Sequence, residues 1–307
     1  MSERGGKSFF SFSFSFFSSV VRLLSLPHSF FFFLSDRIKS NPPTPTPPPH
    51  TTSHLYEGAS KTVKRLSLEL GGNAPVIVAS DADVEQAATA VAASAFRNAG
   101  QTCISASRVL VAEEVYKPFV EAVSARASRL RMGPGTDPAT SLGPLISPAA
   151  TERVRAHIDD ALSKGATVAA TSGPLPSADS PYAQGYFSSA TVLSGALPGM
   201  RVHTEETFGP LVAAFKFKSL EEAVALANDT EYGLAAYVFT RDVSRAWRLA
   251  EALDYGMVGV NTAAVTDSSA PFGGLKHSGL GKEGGAEAIN EYLDVKTVAL
   301  DVGSGLS

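Results

Sequence analysis

Two side chains of this chain are suited to covalent chemistry on a carbonyl group. Cys103 is the sole cysteine among 307 residues and lies in FRNAGQTCISASRVLV. Glu69 lies upstream in LSLELGGNAPVIV, inside a glycine-flanked turn. A thiolate can attack a carbonyl carbon, and a carboxylate can take up the proton or activate water. The pair therefore indicates a nucleophile at Cys103 with a general base at Glu69.

The sequence around Cys103 predicts a loop between a helix and a strand. Asp81 or Asp83 is placed to cap a helix through VEQAATAVAASAFRN, and Gly100 is placed to end it. The apolar run SRVLVA (107–112) then predicts a strand. We expect a cysteine on such a loop to be presented rather than packed. A single cysteine also rules out an internal disulfide and favours a reducing compartment.

Each member of the pair has a structural alternative. A lone cysteine is often a small buried apolar residue. The Glu69 carboxylate could be satisfied by backbone N–H groups of the Gly71-Gly72 turn, with no catalytic part. Local spacing leaves both alternatives open.

Four separated motifs carry a family resemblance. They are LELGG (68–72), GQTC (100–103), EETFGP (205–210) and PFGG.K.SG.G.EG (271–284). In this order they resemble the C-terminal part of the aldehyde dehydrogenase superfamily, from about residue 60 onward. The resemblance implies that Glu69 is the base and Cys103 the nucleophile. It also implies that Glu206 faces the ribose of a cofactor, NAD or NADP, and that Phe208 lies near the nicotinamide.

Longer segments resemble one subgroup, the succinate-semialdehyde dehydrogenases of γ-aminobutyrate degradation. They are FRNAGQTC, EETFGPL, NDTEYGLAAYVFTRD, YGMVGVN and SGLGKEG. This resemblance implies that Arg97 holds the distal carboxylate of the substrate. It also implies that Thr266 and Phe272 contact the substrate. Alternatively, Arg97 is an exposed arginine that stabilises the last carbonyls of a helix. Ser105 stands where some members have a second cysteine, so a disulfide switch with Cys103 is impossible here.

Alternating helix and strand patterns predict an α/β fold with an open twisted sheet flanked by helices. The predicted helices cover 113–131, 148–165, the segment after a Ser219–Glu222 capping box and the segment capped by Asp242. The predicted strands are ATVAAT, YFSSATVL, LVAAFKF, LAAYVFT and MVGVN. The resemblance identifies 74–285 as an aldehyde dehydrogenase-like catalytic domain and 60–73 as the end of a cofactor-binding domain. The resemblance also implies that residues 286–307 return and add a strand, INEYLDVKTVAL, to a neighbouring subunit of a dimer or tetramer. An unpaired strand edge there would favour such association.

Composition argues against several other classes of protein. The net charge is −4, and no basic cluster of the globular part suits nucleic acid. The six histidines are scattered and no HExxH pattern occurs, so no metal site is predicted. GLGKEG (279–284) has the spacing of a dinucleotide motif but follows a loop and lacks a βαβ unit. Its glycines are expected to shape a turn that closes the substrate pocket.

Residues 1–59 form a low-complexity segment with phenylalanine–serine and proline-rich tracts. Arg22, Pro27 and many serines interrupt any membrane-spanning run. The segment is either a targeting peptide, given its excess of basic residues, or a translated pyrimidine tract that is not natural coding sequence. The second interpretation is favoured, because the resemblance resumes abruptly near Ser60. The expected location is mitochondrial or cytoplasmic, and this segment is not a dependable targeting signal. We expect the family's N-terminal Rossmann-like domain to be largely missing, with its oxyanion asparagine and a second substrate arginine.

Two functional hypotheses follow. The first is NAD(P)-dependent oxidation of a small aldehyde, in particular succinate semialdehyde, through a thioester on Cys103. The second is a non-enzymatic fragment that folds its catalytic domain and docks on complete subunits through 289–300. Binding of NAD(P)⁺ by the purified chain distinguishes them.

Overall fold

The computed structural model describes residues 51–177 and 179–301, so most of the low-complexity segment lies outside it. The helices are α1 (Thr51–Ser60), α2 (Val84–Phe96), α3 (Tyr116–Ala127), α4 (Pro148–Ser163), α5 (Arg201–Thr204), α6 (Leu220–Asn228) and α7 (Val243–Ala252). The strands are β1 (Leu68–Glu69), β2 (Pro75–Val78), β3 (Arg108–Ala112), β4 (Thr167–Thr171), β5 (Thr191–Ala196), β6 (Leu211–Phe217), β7 (Tyr232–Gly233), β8 (Ala235–Phe239), β9 (Met257–Val260), β10 (Leu275–Lys276) and β11 (Gly279–Leu280). Short 3₁₀ turns cover Glu113–Val115 and Glu287–Tyr292, and a tight turn with left-handed residues covers Arg97–Gly100. The described residues up to 288 belong to one compact unit, and 289–301 belong to a second.

A seven-stranded sheet forms the centre of the larger unit, in the order β4-β5-β6-β3-β2-β8-β9. Strand β4 is antiparallel to β5, and the remaining neighbours are parallel. Two small antiparallel pairs, β1 with β11 and β7 with β10, lie outside this sheet. The predicted α/β fold is confirmed. Because Pro75 lies opposite Arg108 and Arg108 opposite Ala213, the amino ends of β2, β3 and β6 lie at the same edge.

Alternating side chains of the central strands divide the core into two layers. Val76, Val78 and Val109 pack with α2 and α3, whereas Ile77 and Leu110 pack with α6 and α7. Successive side chains of a strand point to opposite faces of its sheet, which explains the division. Strands buried on both faces explain the continuous apolar runs of the sequence.

Polar caps fix where the helices begin. Asp83 caps α2, which decides between the two predicted candidates, and Ser219 and Asp242 cap α6 and α7 as predicted. The predicted capping box is modified, because the Glu222 carboxylate accepts from the backbone N–H of the residue before Ser219. Each such cap stabilises its helix by about 1 kcal/mol.

Several predicted boundaries shift. The 113–131 helix begins with a 3₁₀ turn and ends at Ala127, the 148–165 helix ends at Ser163, and the YFSSATVL strand begins only at Thr191. The end of the low-complexity segment forms α1, which the sequence analysis did not predict. No helix among the described residues is long and apolar enough to cross a membrane.

The C-terminal run forms no strand within this chain. A 3₁₀ turn ends at Tyr292, and residues 293–301 have no regular structure, with Val295 98% exposed. A strand needs a neighbour to complete its hydrogen bonds. The strand predicted at 289–300, and with it the dimer or tetramer, therefore stays a prediction that requires a second chain.

Candidate active site

The motif residues gather at the amino end of the parallel strands. Glu69 precedes β2, Cys103 precedes β3 and Glu206 precedes β6. Ligands of open α/β sheets usually bind outside the carboxyl ends of the strands. Here the loops that lead into the strands form the site, because the parallel register brings them to one edge.

Three of these loops meet at glycines. A Cβ atom on Gly72 would collide with the carbonyl oxygen of Cys103, and one on Gly100 would collide with the carbonyl oxygen of Gly209. The base turn, the nucleophile loop and the 205–210 loop are thus in direct backbone contact. Only a residue without a side chain allows this approach.

The nucleophile loop has an unusual backbone. Asn98, Ala99 and Gly100 lie in the left-handed region, with φ of 51°, 54° and 72°. This conformation costs a non-glycine residue roughly 1–2 kcal/mol. Reciprocal side-chain bonds hold the turn, since Asn98 Nδ2 donates to Gln101 O at 3.1 Å and Gln101 Nε2 donates to Asn98 O at 3.0 Å. Gln101 Oε1 also accepts from the Ile146 N–H at 2.9 Å, which ties the loop to its neighbour.

The thiol of Cys103 is half-buried and packs against the core, so it is less exposed than the sequence predicted. Burial, and then the charges of Glu206 and Glu69, raise its pKa to about 11. The backbone N–H groups of Cys103 and Ile104 point toward the thiol and lower the pKa in part. In this arrangement Cys103 is a neutral thiol at neutral pH.

Glu69 is the most unusual carboxylate of the site. Both of its oxygens are buried and find no hydrogen-bond partner among the described residues. Burial, followed by the charge of Glu283, raises the pKa of Glu69 to about 7, although Lys282 opposes this. The N–H of Gly72 donates instead to Glu206 Oε1 at 2.8 Å. The alternative that its own turn satisfies Glu69 is therefore wrong.

The C-terminal signature folds over Glu69. In the β1–β11 pair, Glu69 lies opposite Gly279. Phe272 and Glu283 exchange backbone hydrogen bonds of 2.6 and 2.7 Å. A Cβ atom on Gly273 would lie 2.9 Å from Glu69 Oε1. The glycines of 279–284 thus shape a turn against the base, and a 3₁₀ turn rather than an α-helix follows them.

The 205–210 loop carries Glu206 and the half-buried Phe208, whose φ of 49° is left-handed. Sequence reasoning missed a neighbour of this loop, Tyr232. Burial, then the charges of Glu206, Glu231 and Glu205, raise the pKa of the Tyr232 phenol to about 12. The signal available in the sequence was its place in NDTEYGLAAYVFTRD, which says nothing about contact with Glu206.

The residues predicted to bind substrate separate into two groups. Phe272 packs against the same core cluster as Cys103. Arg97 and Thr266 are exposed. Arg97 follows α2, and its guanidinium makes no hydrogen bond or ion pair within residues 51–177 and 179–301, so the last carbonyls of the helix do not hold it. Outside these two groups, the fully buried Tyr237 supports the nucleophile loop. Its hydroxyl donates to the carbonyl oxygen of Ile104, the residue after Cys103, at 2.7 Å.

Across the described part of the chain, no cluster of three or more His, Cys, Asp or Glu side chains is placed to hold a metal ion. The arrangement instead combines a thiol, a buried carboxyl group that titrates near neutral pH, and a second carboxylate. Those groups suit nucleophilic attack followed by activation of water.

Comparisons with known proteins agree with this chemistry. The model of the aldehyde dehydrogenase family matches residues 48–298. The succinate semialdehyde dehydrogenase of Acinetobacter baylyi is 47% identical over 243 residues, 79% of this chain and 49% of that protein. A succinate-semialdehyde dehydrogenase [NADP(+)] of Schizosaccharomyces pombe is 48% identical, covering 80% and 48%. A 3-sulfolactaldehyde dehydrogenase of Pseudomonas putida is 48% identical, covering 80% and 49%.

Solved structures give the same result. The succinate-semialdehyde dehydrogenase of Burkholderia pseudomallei aligns with a TM-score of 0.74 at 48% identity, covering 80% of this chain and 50% of that one. An NAD⁺ complex of a Bacillus cereus aldehyde dehydrogenase aligns with a TM-score of 0.76 at 35% identity, covering 82% and 50%. The chain thus spans about half the length of the relatives it matches.

Proposed function

This chain belongs to the aldehyde dehydrogenase family, and from that premise we propose that its site oxidises an aldehyde to an acid through a thioester on Cys103. One observation carries the proposal. Glu69 is a buried carboxyl group without a hydrogen-bond partner among the described residues, and its pKa is about 7. A general base works best when its pKa is close to the operating pH. A structural carboxylate would instead be paired or hydrogen-bonded.

The reaction begins with Cys103. Its sulfur attacks the aldehyde carbon while Glu69 accepts the thiol proton, directly or through water. The N–H groups of Cys103 and Ile104 donate to the oxygen that becomes negative. When bound, a nicotinamide cofactor would accept the hydride that the adduct carbon loses as it becomes a thioester carbonyl. Once Glu69 has released the thiol proton to solvent, it deprotonates the water that attacks this thioester. The acid then leaves, and a proton returns to the Cys103 sulfur, which restores the thiol.

The described residues fit part of a dinucleotide. The Glu206 carboxylate is an acceptor suited to ribose hydroxyls, and Phe208 lies two residues farther along the same loop. The cofactor in this proposal is NAD or NADP, since one relative is named for NADP(+) and a similar structure holds NAD⁺. Among the described residues, 279–284 do not form the strand–turn–helix that holds a pyrophosphate.

For the substrate we propose succinate semialdehyde. Succinate semialdehyde and 3-sulfolactaldehyde, after which relatives are named, both carry an anionic group away from the aldehyde. Arg97 is exposed, free of ion pairs among the described residues, and close to Cys103 in sequence. A guanidinium with unused donors suits such an anion. Thr266 and Phe272 complete the proposed substrate contacts.

The test of the chemistry is the covalent adduct. The chain is incubated with succinate semialdehyde and NAD⁺ or NADP⁺, and intact mass and reduced cofactor are measured. We expect an adduct that Cys103→Ser abolishes, and an acyl form that accumulates in Glu69→Gln because thioester hydrolysis slows. An adduct or turnover that survives Cys103→Ser would refute the proposal. A folded chain that forms neither favours the non-enzymatic alternative.

The test of the substrate is Arg97→Ala. A charge-assisted pair contributes about 1.5–3 kcal/mol, so KM for succinate semialdehyde should rise roughly 10- to 150-fold. Butyraldehyde, which has the same carbon number without the carboxylate, is the matched control and should be unaffected. An equal effect on both aldehydes would assign Arg97 to structure.

A further inference from the structure

We propose that His157 of α4 is the positioning residue that keeps Glu206 against the Gly72 N–H, by fixing the two residues that flank Glu206. No motif of the family resemblance includes α4. The inference deepens the proposed function and rests on it for its meaning, since Glu206 is the proposed cofactor carboxylate.

One face of α4 binds the 205–210 loop. His157 is fully buried, with Nδ1 2.9 Å from Thr207 Oγ1 and Nε2 3.2 Å from Glu205 Oε2. One turn earlier, Arg153 Nε donates to Thr207 O at 2.9 Å. A Cβ atom on Gly209 would collide with the side chain of Val154, which lies on α4 between Arg153 and His157. The helix therefore holds the loop by side-chain bonds, a backbone bond and close packing.

The bonds of His157 have one consistent arrangement. Burial lowers the pKa of His157, and Arg201 and Arg153 act in the same direction, although Glu205 opposes them, so the ring is neutral. A carboxylate can only accept, so Nε2 carries the hydrogen and donates to Glu205. Nδ1 then accepts from the Thr207 hydroxyl. Arg201 holds the same carboxylate at 2.7 Å, which leaves Glu205 little freedom.

The 205–210 loop depends on its contacts with α4 because its own backbone is strained. Phe208 has a φ of 49°, which costs roughly 1–2 kcal/mol for a residue with a side chain. Released from α4, Phe208 can return to a negative φ. That change rotates the chain next to Glu206 and carries its carboxylate away from Gly72. Glu205 and Thr207 flank Glu206 directly, so His157 restrains both sides of it.

The single cysteine reports where Glu206 lies. Burial and the charges of Glu206 and Glu69 raise the pKa of Cys103, so a departing Glu206 lowers it. The experiment measures the rate of alkylation by iodoacetamide against pH for the parent chain, His157→Phe, Thr207→Val and Glu206→Gln. This measurement needs neither cofactor nor substrate. A chain without turnover therefore refutes the proposed function and leaves this inference to be decided separately.

We expect His157→Phe to shift the alkylation profile to lower pH, in the same direction as Glu206→Gln. A fall of one unit in the pKa of Cys103 gives tenfold more thiolate, but each thiolate is then less nucleophilic. The alkylation rate at pH 8 should therefore rise roughly three- to tenfold. His157→Gln keeps a donor for Glu205 and an acceptor for Thr207, and it should restore most of the parent profile. Arg155→Ala, a change of an exposed α4 residue, should leave the profile unchanged.

The decisive comparison is the double variant. If His157 acts through Glu206, His157→Phe adds no further shift in a Glu206→Gln background. Additive shifts, or a folded His157→Phe chain with the parent profile, would overturn the proposal. Should His157→Phe fail to fold, Thr207→Val decides in the same way, because it removes one hydroxyl and keeps the side-chain shape.

Discussion

The two ends of the parallel sheet differ in how they hydrogen-bond a carboxylate. At the carboxyl end, Asp81 accepts from the Thr240 hydroxyl at 2.8 Å and from the backbone N–H groups of Arg241 and Asp242 at 3.1 Å, and it pairs with Arg245. At the amino end, both oxygens of Glu69 lack a hydrogen-bond partner among the described residues. The carboxyl end thus stabilises the fold, and the amino end holds a group that the fold does not satisfy.

The pKa values follow this difference. Burial raises the pKa of Asp81, but the bonds from Thr240 and Arg241 and the charge of Arg245 outweigh it, and the pKa falls below 3.8. Burial raises the pKa of Glu69 to about 7, and no hydrogen bond offsets it. Burial therefore has the same sign at both ends, and at Asp81 the hydrogen bonds and the Arg245 charge reverse its effect.

Backbone strain occurs at both ends but is held differently. At the carboxyl end Asn261 has a φ of 55°, and its own side chain exchanges hydrogen bonds of 3.0 and 2.9 Å with Thr240. At the amino end Ala99 and Phe208 are left-handed without polar side chains to hold them. Their conformation depends on other elements, as is common at functional sites.

The largest expected effect tests whether the amino end is tightly packed. Gly100→Ala adds a Cβ atom against the Gly209 carbonyl at a φ of 72°. Left-handed strain and overpacking together should lower the free energy of unfolding by about 2–4 kcal/mol. Urea denaturation measures it, with Gly143→Ala as control, since nothing lies within 4 Å of that added Cβ. Equal stabilities for the two variants would mean that the loops do not meet as described.

A smaller effect tests the carboxyl end. Asp81→Ala should lower the free energy of unfolding by about 1.5–3 kcal/mol, the range for hydrogen bonds to a charged group. The stability that Asp81 contributes is fully present above its ordinary pKa of 3.8 and is lost as pH falls through its lower pKa in the folded chain. The difference in unfolding free energy between the parent and Asp81→Ala should therefore narrow as pH falls below 3.8. The pH profile of Cys103 alkylation should not change. A changed profile would show that the two ends are coupled, and exposed Asp159→Ala is the control.

The third expected effect has the opposite sign. The pKa of Glu69 rises from 4.5 to about 7 on folding, so the folded chain binds more protons between these values and stability falls as pH rises through them. Glu69→Gln removes this loss. Its thermal midpoint should exceed that of the parent above pH 7, by roughly 2–4 °C for each kcal/mol gained, and the difference should vanish near pH 4. A variant less stable than the parent at pH 8 would show that the Glu69 carboxylate is satisfied after all.

Local sequence determined much of this molecule. Caps such as Asp83, Ser219 and Asp242 bind N–H groups of their own first turn, so spacing alone finds them. The apolar runs that became β6 and β8 are buried on both faces and need only length and composition to be recognised. The motif resemblance likewise singles out Glu69, Cys103 and the other candidate residues from the sequence alone.

Only the tertiary structure decided how those residues are held. The N–H of Gly72 could have served Glu69 in its own turn, but Glu206, 134 residues away, takes it. That contact takes the donor that Glu69 could have used and places a second charge beside Cys103. Burial, and then this charge, raise the pKa of the thiol where the sequence favoured a reactive one. No local pattern encodes it, because it depends on which parallel strands become neighbours and on which loops their register brings to the amino edge. The energies of buried charges are set by those neighbours, and chain spacing does not contain them.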